Sequence, residues 1–219
     1  MRPSQKTLLI DAGYGADALR TYELFIAPYE LDAAWDPNGI AGTYRFLNRI
    51  WTLVQEYLES DAESEVPVAI VHKAVKKVTS DLERLSFNTA IAAQMELVND
   101  LYKAKVNGIG GNAWNETLTV LVQLVAPFAP HIAEEVWQQL GHEGSVHTAA
   151  WPTWDESLTV EDTVTIAVQV NGKVRAEVVV SKDADKATLE TAALENDRVK
   201  EFLAGNEPKR VIVVPGRLV

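Results

Sequence analysis

Apolar residues recur at helical spacing from about residue 14 to residue 140, and at every second position from about residue 164. Tyr14–Ala27 predicts a first helix, with Ala18, Tyr22, Phe25 and Ile26 on one face and Pro28 ending it. Asp32–Gly39 reads as a loop containing Trp35 and an Asp-Pro-Asn-Gly turn signal. A second helix is predicted over Ile40–Ser60, with Phe46, Leu47, Ile50, Leu53, Val54 and Tyr57 as its stripe. The third spans Val66–Leu85, with Val66, Ile70, Ala74, Val78, Leu82 and Leu85 on one side. Ser86 or Asn88 caps a fourth, which carries Ile91, Met95, Val98 and Tyr102. Asn107–Gly111 is a break. Two more helices flank Ala126–Pro130, where Pro127 and Pro130 interrupt an apolar run.

The register changes at Gly141, and Trp151–Trp154 reads as an extended linker. Val164–Val170 alternates and is β-branched, as strands are. Asn171-Gly172 follows, a type I′ hairpin signal, and Val174–Ser181 is the return strand. Lys186–Ala204 predicts one amphipathic helix capped by Asp183 or Asp185, and Val211–Val214 a third strand. The fold class is therefore mainly α: a helical bundle followed by a small α/β domain with β-hairpin, helix and strand. The change of period near residue 160 marks a boundary. The expected parts are a connecting segment over 1–37, a bundle over 38–154 and the small domain over 155–219.

Ala126–Trp137 reads A-P-F-A-P-H-I-A-E-E-V-W. This helix–kink–helix resembles the anticodon-binding bundle of class I aminoacyl-tRNA synthetases of the leucine, isoleucine, valine and methionine group. Tyr14–Arg20 resembles the helix after their catalytic signature loop, and Phe46–Trp51 their first bundle helix. Val170–Arg175 and Val213–Val219 resemble the small C-terminal domain of bacterial leucyl-tRNA synthetases, which singles out leucine. The resemblance implies tRNA(Leu) as partner, beside catalytic and editing domains of the same enzyme. It implies ATP and magnesium for the whole enzyme and none for this chain. No H-I-G-H occurs, and Met1–Lys6 is not K-M-S-K-S. The chain is therefore expected to be the C-terminal third of such an enzyme, excised or as a separate short gene product, and inactive alone. The rival expectation is a truncated paralogue serving as a protein-interaction module.

Composition sharpens this. The 219 residues carry a formal net charge of −11, against the basic surface usual for nucleic-acid binding. A local cationic stripe can still act within a negative whole. Residues 1–154 hold 11 Lys and Arg against 19 Asp and Glu. The final fifteen residues instead hold Lys209, Arg210 and Arg217 against Glu207. There are no cysteines, which excludes disulfides and thiolate metal sites. Residues 1–20 show no long apolar core, and no apolar run is long enough for a bilayer, so a cytoplasmic location without membrane or DNA partners is expected.

No catalytic or metal-ligating set is expected. The four histidines make no i,i+4 pair, and Gly108-Ile109-Gly110-Gly111 lacks the setting of a phosphate loop. Glu134 and Glu135 are adjacent on a helix, so they point apart. His131 reads better as a packing and capping residue at the kink than as a proton donor. Trp51 and Trp137 lie on apolar stripes and read as core, and Trp151 and Trp154 as pins for the linker. Binding candidates are cations with reach to phosphates. On the helices these are Arg45 and Arg49, then Lys73, Lys76 and Lys77, each group readable also as a solvated face. In the small domain, Lys173 and Arg175 flank the hairpin turn, and Lys209, Arg210 and Arg217 bracket the last strand. The resemblance implies that this small domain reaches the outer corner of the tRNA, where the D and T loops meet.

Overall fold

The computed structural model describes residues 13–159, 163–170, 172–181, 184–203, 208 and 211–213. The chain divides into two compact units at residue 159. The first is helical. Helix α1, Gly15–Phe25, buries Ala18, Leu19 and Tyr22. Tyr22 also donates its hydroxyl to the Asp36 carbonyl at 2.6 Å. A Cβ at Gly39 would sit 2.5 Å from the Tyr22 ring, so only glycine fits beneath it. Helix α2, Ile40–Leu58, buries Ile40, Phe46, Leu47, Ile50, Leu53 and Val54, the predicted stripe almost residue for residue.

Helix α3, Val68–Glu83, turns a slightly different face inward, with Val71, Ala74, Val75 and Val78 buried. Leu85, expected on that stripe, lies past the helix end. It is half exposed, with φ +57°, a left-handed conformation usually taken by glycine. Ser86 donates its backbone N–H to the Asp81 carbonyl at 2.8 Å, closing the turn that Leu85 makes. Helix α4, Phe87–Ala104, starts here, but neither expected side-chain cap is made: Ser86 occupies the N-cap position without a side-chain bond.

The break after α4 is a glycine requirement. Gly110 has φ +153°, and a Cβ there would meet the Ala62 carbonyl at 2.0 Å. Helices α5, Asn112–Val125, and α6, Pro130–Gln139, flank the kink, with Pro130 in the first turn of α6 where its missing N–H costs nothing. Fully buried Trp114 and Phe128 sit in the core, beside Leu118, Leu121 and Leu124. Residues 150–159 strap back onto the bundle. Trp151 Nε1 donates to Thr79 Oγ1 at 2.8 Å, and the Asp155 N–H to His72 Nδ1 at 3.0 Å. The strap ends in one helical turn, α7, Glu156–Thr159.

In the second unit, strands β1, Thr163–Val170, and β2, Lys173–Ser181, pair antiparallel. Gly172 has φ +75°, as the second central residue of a type I′ turn requires, and Asn171 lies outside the described residues. Ile166 faces Val178 and Val168 faces Ala176, but Gln169 pairs with Val174. Arg175 is thus the extra residue of a β-bulge. Ile166, Val168, Val178 and Val180 make a small core with Leu189, Ala193 and Val199.

Two expectations need correction here. The single helix over 186–204 is two, α8, Lys186–Glu195, and α9, Asp197–Leu203. Asn196 adopts ψ 127° between them, and its Oδ1 accepts from the Arg198 N–H at 3.1 Å. A local side-chain bond has outcompeted helix continuation. Asp185 caps α8, accepting from the Thr188 N–H at 2.8 Å, and Asp183 lies outside the described residues. Residues 211–213 form no ladder; Val211 and Val213 pack on the small core, while Ile212 is exposed. The alternation was read correctly there, but not the pairing. Val214 lies outside the described residues. No described helix is long and apolar enough to cross a membrane.

Candidate nucleic-acid interface

The cations on α2 have different surroundings although one turn separates them. Arg45 is exposed and has no hydrogen-bond or ion-pair partner among the described residues. Arg49 is half-buried. Its Nη1 donates to Asn99 Oδ1 at 2.6 Å, and its guanidinium lies 4.4 Å from the Tyr102 ring centroid. Lys105 stands over the same ring at 4.0 Å while its ammonium pairs with Glu56. Tyr102 therefore has two cations against it, a favourable electrostatic arrangement for its π-face. It also donates its hydroxyl to the Arg49 carbonyl at 3.1 Å.

On α3, Lys76 pairs with Glu156 of the strap, and Lys77 with Asp81. Lys73 is half-buried. Asp81 is buried, which by itself would raise its pKa. Hydrogen bonds from Lys77, Thr89 and Arg84 outweigh that and hold its carboxyl below the usual value. The Lys76 ammonium does the same for Glu156 on the surface. Much of the cationic charge read on α3 is thus already matched by carboxylates of the same unit.

In the small unit, Lys173 is exposed at the start of β2. Arg175 is half-buried, with its guanidinium 4.3 Å from the Phe202 ring centroid and its Nε enclosed without a hydrogen-bond partner. Lys209, Arg210 and Arg217 lie outside the described residues.

The residues weighed for chemistry have structural roles. Glu134 accepts from Ser145 Oγ at 2.8 Å and from the Val146 N–H at 3.1 Å, and Glu135 accepts from Gln139. His142 stacks on Trp137 with ring centroids 4.0 Å apart, and its Nε2 lies 2.7 Å from Thr119 Oγ1. No group of three or more metal-ligating side chains occurs among the described residues. His131 does not cap or pack at the kink, as its position suggests; its side chain is 70% exposed. The cap comes from Asp17 on α1, whose Oδ2 accepts from the N–H groups of His131 and Ile132, both at 2.9 Å. Its Oδ1 meets His131 Nδ1 at 2.7 Å and Arg20 at 3.3 Å. Asp17 escaped sequence reading because its partners lie 114 and 115 positions away. Arg198, exposed at the start of α9, was also missed; the Asn-Asp pair before it is a helix-start signal that would have isolated it.

A family model for the anticodon-binding domain of tRNA ligase matches residues 68–191. A leucine–tRNA ligase of Deinococcus radiodurans is 46% identical over 94% of this chain and 26% of its own length. One of Trichormus variabilis is 47% identical over 95% of the chain and 25% of its own length. The chain thus spans about a quarter of the curated relatives it matches. Among solved structures, the ternary complex of Agrobacterium radiobacter K84 agnB2 LeuRS with tRNA and LeuAMS matches with TM-score 0.65 and 30% identity. That match covers 97% of this chain and 29% of the other.

Proposed function

The chain belongs to the anticodon-binding domain family of tRNA ligases, and from that premise we propose that it is the tRNA-binding part of a leucine–tRNA ligase. It positions tRNA(Leu) for ATP-dependent leucylation carried out by catalytic polypeptide outside these residues. The observation that supports this most is the 46% identity to a leucine–tRNA ligase across 94% of the chain. The partners are tRNA and the catalytic and editing parts of that enzyme, in the cytoplasm. ATP and magnesium serve the catalytic part, and this chain needs no cofactor of its own.

The mechanism is positioning. Contacts to phosphates orient an RNA without reading its sequence. Holding the acceptor end near the reacting groups converts a bimolecular encounter into a nearly unimolecular one. Among the candidate cations that the structure describes, Arg45 and Lys173 are exposed and have no hydrogen-bond or ion-pair partner among the described residues, so they stand first as phosphate contacts. Arg49, Lys73, Lys76 and Lys77 on the bundle, Arg175, and the terminal Lys209, Arg210 and Arg217 complete the set. Titration of tRNA(Leu) into the full chain tests the reading: binding without leucine-dependent ATP–pyrophosphate exchange is expected. Exchange by the chain alone would contradict the assignment of chemistry elsewhere. Absence of binding at every salt concentration would leave the protein-interaction role in its place.

A further inference from the structure

A shallow open groove of about 560 Å³ lies in the small unit, walled by Arg175 and Glu177 of β2 and by Asn196, Asp197 and Arg198 at the α8–α9 break. Its charged groups are of both signs: the Arg175 and Arg198 guanidiniums, and the Glu177 and Asp197 carboxylates, of which Asp197 pairs with Lys200 at 4.0 Å. A phosphate placed against Glu177 would meet a like charge with no ion-pair partner among the described residues, which counts against RNA backbone at that wall. An uncharged edge that offers donors and acceptors side by side meets the opposite situation. Carboxylates accept from N–H groups, and guanidiniums donate to carbonyl and ring-nitrogen acceptors.

Three local features give this wall its form. The β-bulge at Arg175 takes that side chain out of the regular pleat. The Arg175 guanidinium carbon lies 4.3 Å from the Phe202 ring centroid, a contact that restricts where its donors sit. Asn196 breaks the helix, its Oδ1 accepting from the Arg198 N–H, and the Arg198 side chain is exposed with no ion-pair partner among the described residues.

We infer that this groove takes an unstacked nucleobase of the bound RNA, guanine best of all, rather than a phosphate. Guanine alone presents two adjacent N–H donors on its pairing edge, which one carboxylate accepts together, and O6 and N7 acceptors that suit a guanidinium. This rests on the tRNA-binding reading above and changes the role of Arg175 within it, from phosphate contact to base-reading group.

The test is tRNA binding by the full chain and its Glu177→Gln, Asp197→Asn and Arg175→Lys variants, each across a salt series, with melting curves to confirm an intact fold. Removing a negative charge strengthens any phosphate contact, so the two readings differ in sign. The base-edge reading expects at least one of the two carboxylate variants to bind roughly tenfold more weakly with an unchanged salt slope. It also expects Arg175→Lys to weaken binding although charge is retained. Binding unchanged or tightened in both carboxylate variants overturns the proposal while leaving tRNA binding itself in place. A wild-type chain that binds no tRNA overturns the functional reading, and this inference falls with it.

Discussion

Trp137 is 7% exposed and stacked on His142 beside the α5–α6 kink. Truncating such a ring removes apolar burial and leaves a void, so Trp137→Ala is expected to cost about 3–5 kcal/mol. An unchanged denaturation midpoint would refute its place in the core. Leu85 gives a prediction of opposite sign. Its φ of +57° is costly for a side chain with a Cβ, and half of it is exposed, so little packing is lost on removal. Leu85→Gly should raise stability by up to about 1 kcal/mol, less the entropy glycine adds to the unfolded chain. Lower stability would show that Leu85 contributes packing beyond its backbone strain. Asp81 sets an acid limit. Its folded carboxyl holds a proton less tightly than the unfolded one, so below about pH 4 the unfolded state binds more protons and stability falls as pH falls. Asp81→Asn should be less stable at neutral pH and lose stability less steeply in acid. An acid limb as steep as the parent's would assign that loss to other carboxylates.

At the scale of elements, α6 depends on a partner remote in sequence. Asp17 satisfies two of its first N–H groups and places negative charge at the positive end of its dipole. Asp17→Ala is expected to cost about 1–2 kcal/mol, with faster hydrogen exchange at His131 and Ile132. Unchanged exchange there would show the cap to be dispensable. The elements themselves were legible, because α2 and α4 repeat their apolar period for several turns. What was not legible is what fixes their ends and what the cations touch. A cap from Asp17 to α6, or a ring at 202 under a guanidinium at 175, leaves no trace in a local window. The α8–α9 break was missed for another reason: Asn196 is a weak helix opponent, and its side-chain bond to the next helix decides the matter.

For the whole molecule, a charge of −11 bears on the proposed tRNA partner through where the described cations stand. Lys76, Lys77, Arg84, Lys103 and Lys105 are paired with carboxylates, so they add little to the external field. Arg45, Lys173 and Arg198 are exposed without such partners among the described residues and carry more weight than their number suggests. Lys173→Ala should weaken tRNA binding and lower the salt slope by about one, without loss of fold. An unchanged dissociation constant would remove Lys173 from the interface. The most direct measurement of the central claim is the affinity of the full chain for tRNA(Leu) between 50 and 200 mM salt, a range over which several phosphate contacts lose orders of magnitude. A complex at low salt whose log affinity falls linearly with log salt is the predicted result. No detectable complex at any salt concentration would contradict the account.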